Sequence, residues 1–220
     1  ETGEGRIGLW SRSAGYRRIG EIASGGIGPH EIRKLPDSEI LVVANGGIRT
    51  GPGDREKLNL DTMAPNLTYL DRKGDIVQKL TLSPEVHQAS IRHLAINATG
   101  RVAFAMQWEG QVDDAPALLG LHRLGEPAAA LALAPQEIHA GLKGYAGSVA
   151  AFDSGTKFAI SSPKGGRVHV FDANGRFISE INRPDVCGLA SEGALLVMTD
   201  GFGTVVASLD GQPVWHQRSA

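Results

Sequence analysis

Two short runs set a histidine beside a charged residue in similar surroundings, Gly28-Pro29-His30-Glu31 and Ile91-Arg92-His93-Leu94. Neutral imidazole suits iron, copper or zinc, and the Glu31 carboxylate can add an oxygen, so His30 and His93 are candidate metal ligands. No HxH or HExxH spacing accompanies them, and both also read as pocket-lining groups or as strand-end residues satisfied by backbone hydrogen bonds. Arg92, with Arg49 from a long loop, has the planar fork that clamps a carboxylate or phosphate through two parallel bonds. The same arginines can instead pair with Glu31, Asp61 or Glu109, and Trp108-Glu109 can wall a pocket. The candidate ligand-binding set is His30, Glu31, Arg49, Arg92, His93 and Glu109. No catalytic residue is assigned, and the cofactor is unknown.

Other patterns carry less. Cys187 is the single cysteine, which excludes a disulfide framework and a multi-cysteine zinc site. A lone small residue on an inner strand, it reads as buried and inert rather than as a nucleophile. Gly25-Gly26-Ile27-Gly28 resembles part of a dinucleotide fingerprint, but no strand-helix-strand unit surrounds it. Ser161-Ser162-Pro163-Lys164-Gly165-Gly166 has the wrong Gly–Lys order for a phosphate loop, and Asp113-Asp114 lacks calcium-loop spacing.

Composition narrows the class. A net charge of -2 argues against a strongly basic nucleic-acid surface. No apolar run approaches the ~18 residues that a bilayer span needs. With 29 Gly and 11 Pro among 220 residues, the chain describes many short elements joined by many turns.

The elements that must position the candidate residues come as a repeat. The clearest unit has strands at 148–152, 157–161, 167–171 and 176–181, with turns Asp153-Ser154-Gly155, Pro163-Lys164-Gly165-Gly166 and Asp172-Ala173-Asn174-Gly175 between them. Four short strands with a turn signal at each junction predict an antiparallel meander, and Asn174-Gly175 predicts a type I′ hairpin. The unit recurs at 30–35, 39–45, 66–72 and 75–82, then at 91–96, 101–107, 117–123 and 127–133, and last at 187–190, 194–199, 204–209 and 212–215. Residues 6–10 and 16–22 supply half a unit, expected to be the outer two strands of a blade with an exposed edge. Units of roughly 40–60 residues fit propeller blades better than a sandwich. The expected fold is all-β, a β-propeller of four-stranded antiparallel blades, incomplete, with its N-terminal blades missing. Its boundaries are a half blade 1–24 and blades 25–82, 83–134, 135–184 and 185–220.

Residues 135–144 predict a helix, with Pro135 at its start, Glu137 in the first turn and Lys143-Gly144 at its end. Residues 83–87 predict a shorter capped turn. Segment 46–65 has no periodicity and exceeds a hairpin loop, so it is functional or a flexible insertion. If strand direction alternates, second-to-third loops and blade-to-blade connections emerge on one face. That face gathers segment 46–65, loop 108–116, turn 163–166 and both helical segments. It also holds the starts of the innermost strands, where His30, Glu31, Arg92 and His93 fall at aligned positions beside the central channel.

The runs GIGPHEI (26–32), ILVVANGGIRT (40–50), KLNLDTMAPNLTYLD (57–71), HQASIRHLA (87–95), YAGSVA (145–150), SPKGGRV (162–168) and DVCGLA (185–190) resemble a bacterial family over nearly the whole chain. It is the twin-arginine-exported, iron-regulated family of unknown function with a propeller fold of the YVTN/WD40-like class. The resemblance implies a periplasmic location and a role around iron, because such proteins are encoded near imelysin-type and di-haem peroxidase-like proteins. It also implies further blades and an export signal ahead of residue 1. The family has no established catalytic residues, so none is carried over. The functional expectation is a periplasmic binding or scaffold module linked to iron acquisition, with periplasmic iron-uptake proteins as partners, no nucleic acid and no membrane span. The alternative is a hydrolase, lactonase-like or metal-dependent, with its site at the channel mouth.

Overall fold

The computed structural model describes residues 5–51 and 56–218. Within them, eighteen strands form four four-stranded antiparallel sheets and one two-stranded sheet. The two-stranded sheet pairs β1 (Arg6–Ser11) with β2 (Arg17–Ala23). The first full sheet holds β3 (Pro29–Lys34), β4 (Leu41–Asn45), β5 (Asn66–Leu70) and β6 (Ile76–Thr81). The second holds β7 (Ala89–Ile96), β8 (Val102–Trp108), β9 (Leu119–His122) and β10 (Ala130–Ala132). The third holds β11 (Ser148–Phe152), β12 (Lys157–Ser162), β13 (Arg167–Asp172) and β14 (Phe177–Asn182). The fourth holds β15 (Val186–Glu192), β16 (Leu195–Asp200), β17 (Thr204–Leu209) and β18 (Gln212–Arg218). In every sheet each strand bonds to its neighbour in sequence, so each is a meander.

The sheets meet through their first strands: β3 touches β7, β7 touches β11, and β11 touches β15. Residues of all four first strands line one shared cavity of about 380 Å³. Sheets set around a common axis with their first strands innermost make a propeller-like arrangement rather than two face-packed layers.

Period-two alternation builds the cores between sheets. Along β8, Val102, Phe104 and Met106 point into a cluster shared with Val42, Leu67 and Tyr69 of the first sheet. Ala103 and Ala105 point the other way, into a cluster with Phe158, Ile160 and Phe171 of the third. A further cluster joins Phe152, Val168 and Val170 to Val186, Leu196 and Met198. Middle strands are therefore buried on both faces, and β5 is buried at all of its five positions, Asn66 and Thr68 included. Each large side chain so buried stabilises the fold by roughly 1.5–3 kcal/mol. The outermost β18, with one face and one edge uncovered, is exposed throughout. Small residues set the tightest fit: Gly120 pairs with Phe104, whose ring occupies the space a Cβ on Gly120 would need.

One turn design recurs. Asp71, Asn97, Asp172 and Asp200 each accept, at Oδ1, the N–H groups two and four residues ahead, and each backbone carbonyl takes the N–H of the glycine three ahead. At 172–176 only Gly175 has positive φ, so the type I′ expectation for Asn174-Gly175 is corrected. The Asp172 carboxylate holds the Asn174 N–H while Asn174 keeps a negative φ, and the ladder absorbs the turn as a bulge between Val170 and Phe171.

The helical expectations are trimmed. Over 135–144 the helix is only α1 (Gln136–Ala140), and Lys143 turns left-handed at φ 53. The chain stops coiling there because it must extend the β8 ladder: Trp108 N–H bonds Gly144 O at 2.8 Å and Ala146 N–H bonds Met106 O at 3.1 Å. Pro84–Val86 is a single 3-10 turn with no side-chain cap bond from Ser83.

Candidate functional site

The start of β3 is fixed from behind. Gly46 and Gly47 N–H continue the β3–β4 ladder to Gly28 and Ile27 carbonyls, each at 2.9 Å. Beneath them, buried Asn45 bonds Ser24 O at 2.9 Å and Asn66 Oδ1 at 3.0 Å. On this rigid base the ladder bulges: Pro29 faces Asn45 and Glu31 faces Ala44, leaving His30 as the extra residue. In β7, Ile91 faces Met106 and His93 faces Ala105, so Arg92 is extra in the same way. A bulge bends the strand and re-aims side chains that strict alternation would send elsewhere. The bulge in β15 falls between Val186 and Leu189. It corrects the expectation for Cys187, which is exposed, because Val186 fills the core instead.

The two bulges bring their residues together. His30 and His93 rings stack edge-to-face with centroids 4.7 Å apart. Glu31 Oε2 lies 3.2 Å from His93 Nδ1 and accepts the Leu94 N–H at 3.1 Å, while Oε1 accepts from Arg33 Nε at 2.6 Å. Arg92 Nη2 lies 3.9 Å from Glu109 Oε1, and Lys57 Nζ bonds the other oxygen of Glu109. Lys57 reaches this point because Asn59 clamps its loop, accepting the Arg49 N–H at 2.7 Å and donating to Gly47 O at 2.9 Å. The described part of segment 46–65 is thus held in place, and Leu60 O meets Gln88 Nε2 at 3.4 Å beside the 3-10 turn. Lys164 Nζ sits 4.7 Å from the centre of the Tyr145 ring, and that phenol lies near enough to act on the Arg92 charge.

Burial and charge tune these groups. Burial lowers the His30 pKa, and His93 and Arg92 push the same way, with Glu31 opposing, so the ring is neutral at pH 7. Burial acts to raise the Glu31 carboxyl, but bonds from His93, the Leu94 N–H and Arg33 outweigh it and hold it below the usual range. Burial also lowers the Arg92 pKa, against the pull of Glu109 and Tyr145.

Of the six candidates, His30, Glu31, Arg92, His93 and Glu109 lie together, and Arg49 does not. With its backbone clamped by Asn59, Arg49 lines a cleft of about 500 Å³ with Ala23, Ile76 and Lys79, on the side of the β1–β2 sheet. Lys57, Tyr145 and Lys164 belong to the neighbourhood but lie outside the main strands, in isolated bridges and a turn, where spacing carries no positional signal. Glu31 is occupied in orienting His93 and a backbone amide. Among the described residues no group of three or more His, Cys, Asp or Glu side chains is disposed to hold a metal ion. The arrangement presents one little-bonded guanidinium, two imidazoles edge to face and lysines at the rim, which together favour binding a polar ligand.

Among the described residues no helix is long and apolar enough to cross a membrane. No curated protein matches the chain. Residues 1–220 match the family described as "Protein of unknown function (DUF1513)", and the chain belongs to that family.

Proposed function

We propose that the four full sheets are blades of a β-propeller, and that the protein is a binding module with its ligand site at the channel mouth. The site comprises His30, Glu31, Arg92, His93 and Glu109. One observation carries this reading: bulges at matching positions of two neighbouring inner strands turn His30 and Arg92 out of the ladder, beside each other's partners. Strict alternation would send these side chains elsewhere, and bulges are over-represented where a side chain is re-aimed for function. The resemblance described above supports a periplasmic location and a link to iron handling, with the ligand delivered to or shared with iron-uptake proteins.

The test is a thermal-shift screen of the full chain against iron, copper and zinc salts and against small anionic, neutral and cationic metabolites. A ligand should raise the melting temperature of the native protein and not that of the His30→Ala/His93→Ala double variant. The absence of any binder, or equal binding by a folded double variant, overturns the reading.

A further inference from the structure

The channel-mouth reading leaves the ligand's chemistry open, and Arg92 narrows it. Its side chain is only 22% exposed, and Nε is fully buried without an acceptor. Among the described residues none of its five N–H donors makes a hydrogen bond, since the nearest carboxylate oxygen, on Glu109, is 3.9 Å away. Other half-buried arginines are bonded: Arg167 to Glu180 at 2.9 Å and Arg183 to Asp200 at 2.5 Å. The two local carboxylates are engaged elsewhere, Glu109 by Lys57 and Glu31 by His93, Arg33 and the Leu94 N–H. A guanidinium taken out of water with its fork unfilled is poised for an acceptor from outside.

The surroundings favour an anion. Lys57 and Lys164 add positive charge at the rim, and the His30 ring beside Arg92 adds none of the opposite sign. We propose that Arg92 is the anchor of an anion site, gripping a carboxylate or phosphate group of a small ligand through two parallel N–H···O bonds. Glu109 is the internal competitor. Its oxygen stands close enough to hold the guanidinium in place and too far to bond it, so the arriving anion takes the fork without first breaking a bond. This rests on the channel-mouth reading and goes beyond it in naming the ligand class.

The experiment is isothermal titration of the full chain with inorganic phosphate and with citrate, using glucose and choline as neutral and cationic controls. Native protein should bind at least one of the two anions and neither control. Arg92→Gln should weaken that binding by more than about tenfold, and Arg92→Lys, which keeps the charge and loses the fork, should also weaken it. Glu109→Gln should tighten it. Arg92→Gln should melt no lower than native protein, because it removes a desolvated charge without a hydrogen bond; a lower melting temperature would mark Arg92 as a structural partner of Glu109 and overturn the inference. Anion binding that is absent, or unchanged in Arg92→Gln, also overturns it. If a metal ion or neutral ligand then still binds through His30 and His93, the channel-mouth reading survives alone; if nothing binds, both fall.

Discussion

His169, on β13, is fully buried, with Nε2 3.2 Å from Glu180 and its ring beside His139, Arg167, Phe171 and Phe177. Burial lowers its pKa from 6.5 to about 4, with Glu180 pulling the other way and His139 and Arg167 adding to the shift. In the unfolded chain the ring takes a proton near pH 6.5, while the folded chain refuses it until about pH 4, so its contribution is present above 6.5 and lost as pH falls across that window. The gap amounts to roughly 3 kcal/mol, or a fall of about 6–12 °C in melting temperature for a chain of this size. His139, buried on α1 with Nε2 bonded to Pro116 O at 2.8 Å, is shifted the same way by burial and adds to the slope. The depressed carboxyls of Glu31, Asp71 and Asp200 act only below their ordinary values of 4.5 and 3.8, so the upper part of the window belongs to histidine. Denaturant unfolding of native protein and of His169→Phe, at steps from pH 7.5 down to 4, reads the difference. Phe fits the aromatic surroundings and leaves Arg167 to hold Glu180 at 2.9 Å. The variant's profile should be flatter by about that amount. A variant profile parallel to the native one would refute the assignment of the slope to His169.

Three packing predictions use the same unfolding assay. Asp172→Ala strips the acceptor from two backbone N–H groups, each at 2.9 Å, and should cost about 1–2 kcal/mol. Gly120→Ala drives a methyl into the Phe104 ring and should cost roughly 1–3 kcal/mol, with a smaller penalty when Phe104→Leu is already present. Tyr69→Phe removes the buried 2.7 Å bond to His122 Nδ1 and should cost about 1–2 kcal/mol, measurable as a lower denaturant midpoint with unchanged slope.

The strands were legible because turn residues punctuate them. Asp71 to Gly74 and Asp172 to Gly175 mark two hairpins in letters alone, and the runs between them alternate or are apolar throughout. What escaped were the register shifts. A bulge adds one residue without changing composition, so nothing in Val186-Cys187-Gly188 says which residue turns outward. The same shifts bring the candidate residues together: His30 and Arg92 could be aligned by their place at strand starts, but their proximity depends on both bulges. Arg49 lies apart from the other candidates for a related reason. Strand parity places a loop on a face, but the backbone at Arg49 is held by Asn59, a clamp that sequence spacing does not reveal.

Within each sheet the strands pair with their neighbours in sequence, while the apolar faces are covered by the sheets before and after it. During synthesis these two kinds of contact arise on different clocks. Hairpins form in about 1–10 μs, whereas a ribosome delivers about 5–20 residues per second, so a meander closes long before its successor exists. Every newly closed sheet therefore waits for seconds with one greasy side open to the solvent. The order of Val42, Phe104, Phe158 and Leu196 along the chain is then a schedule of transient stickiness, and chaperone demand should rise and fall once per sheet.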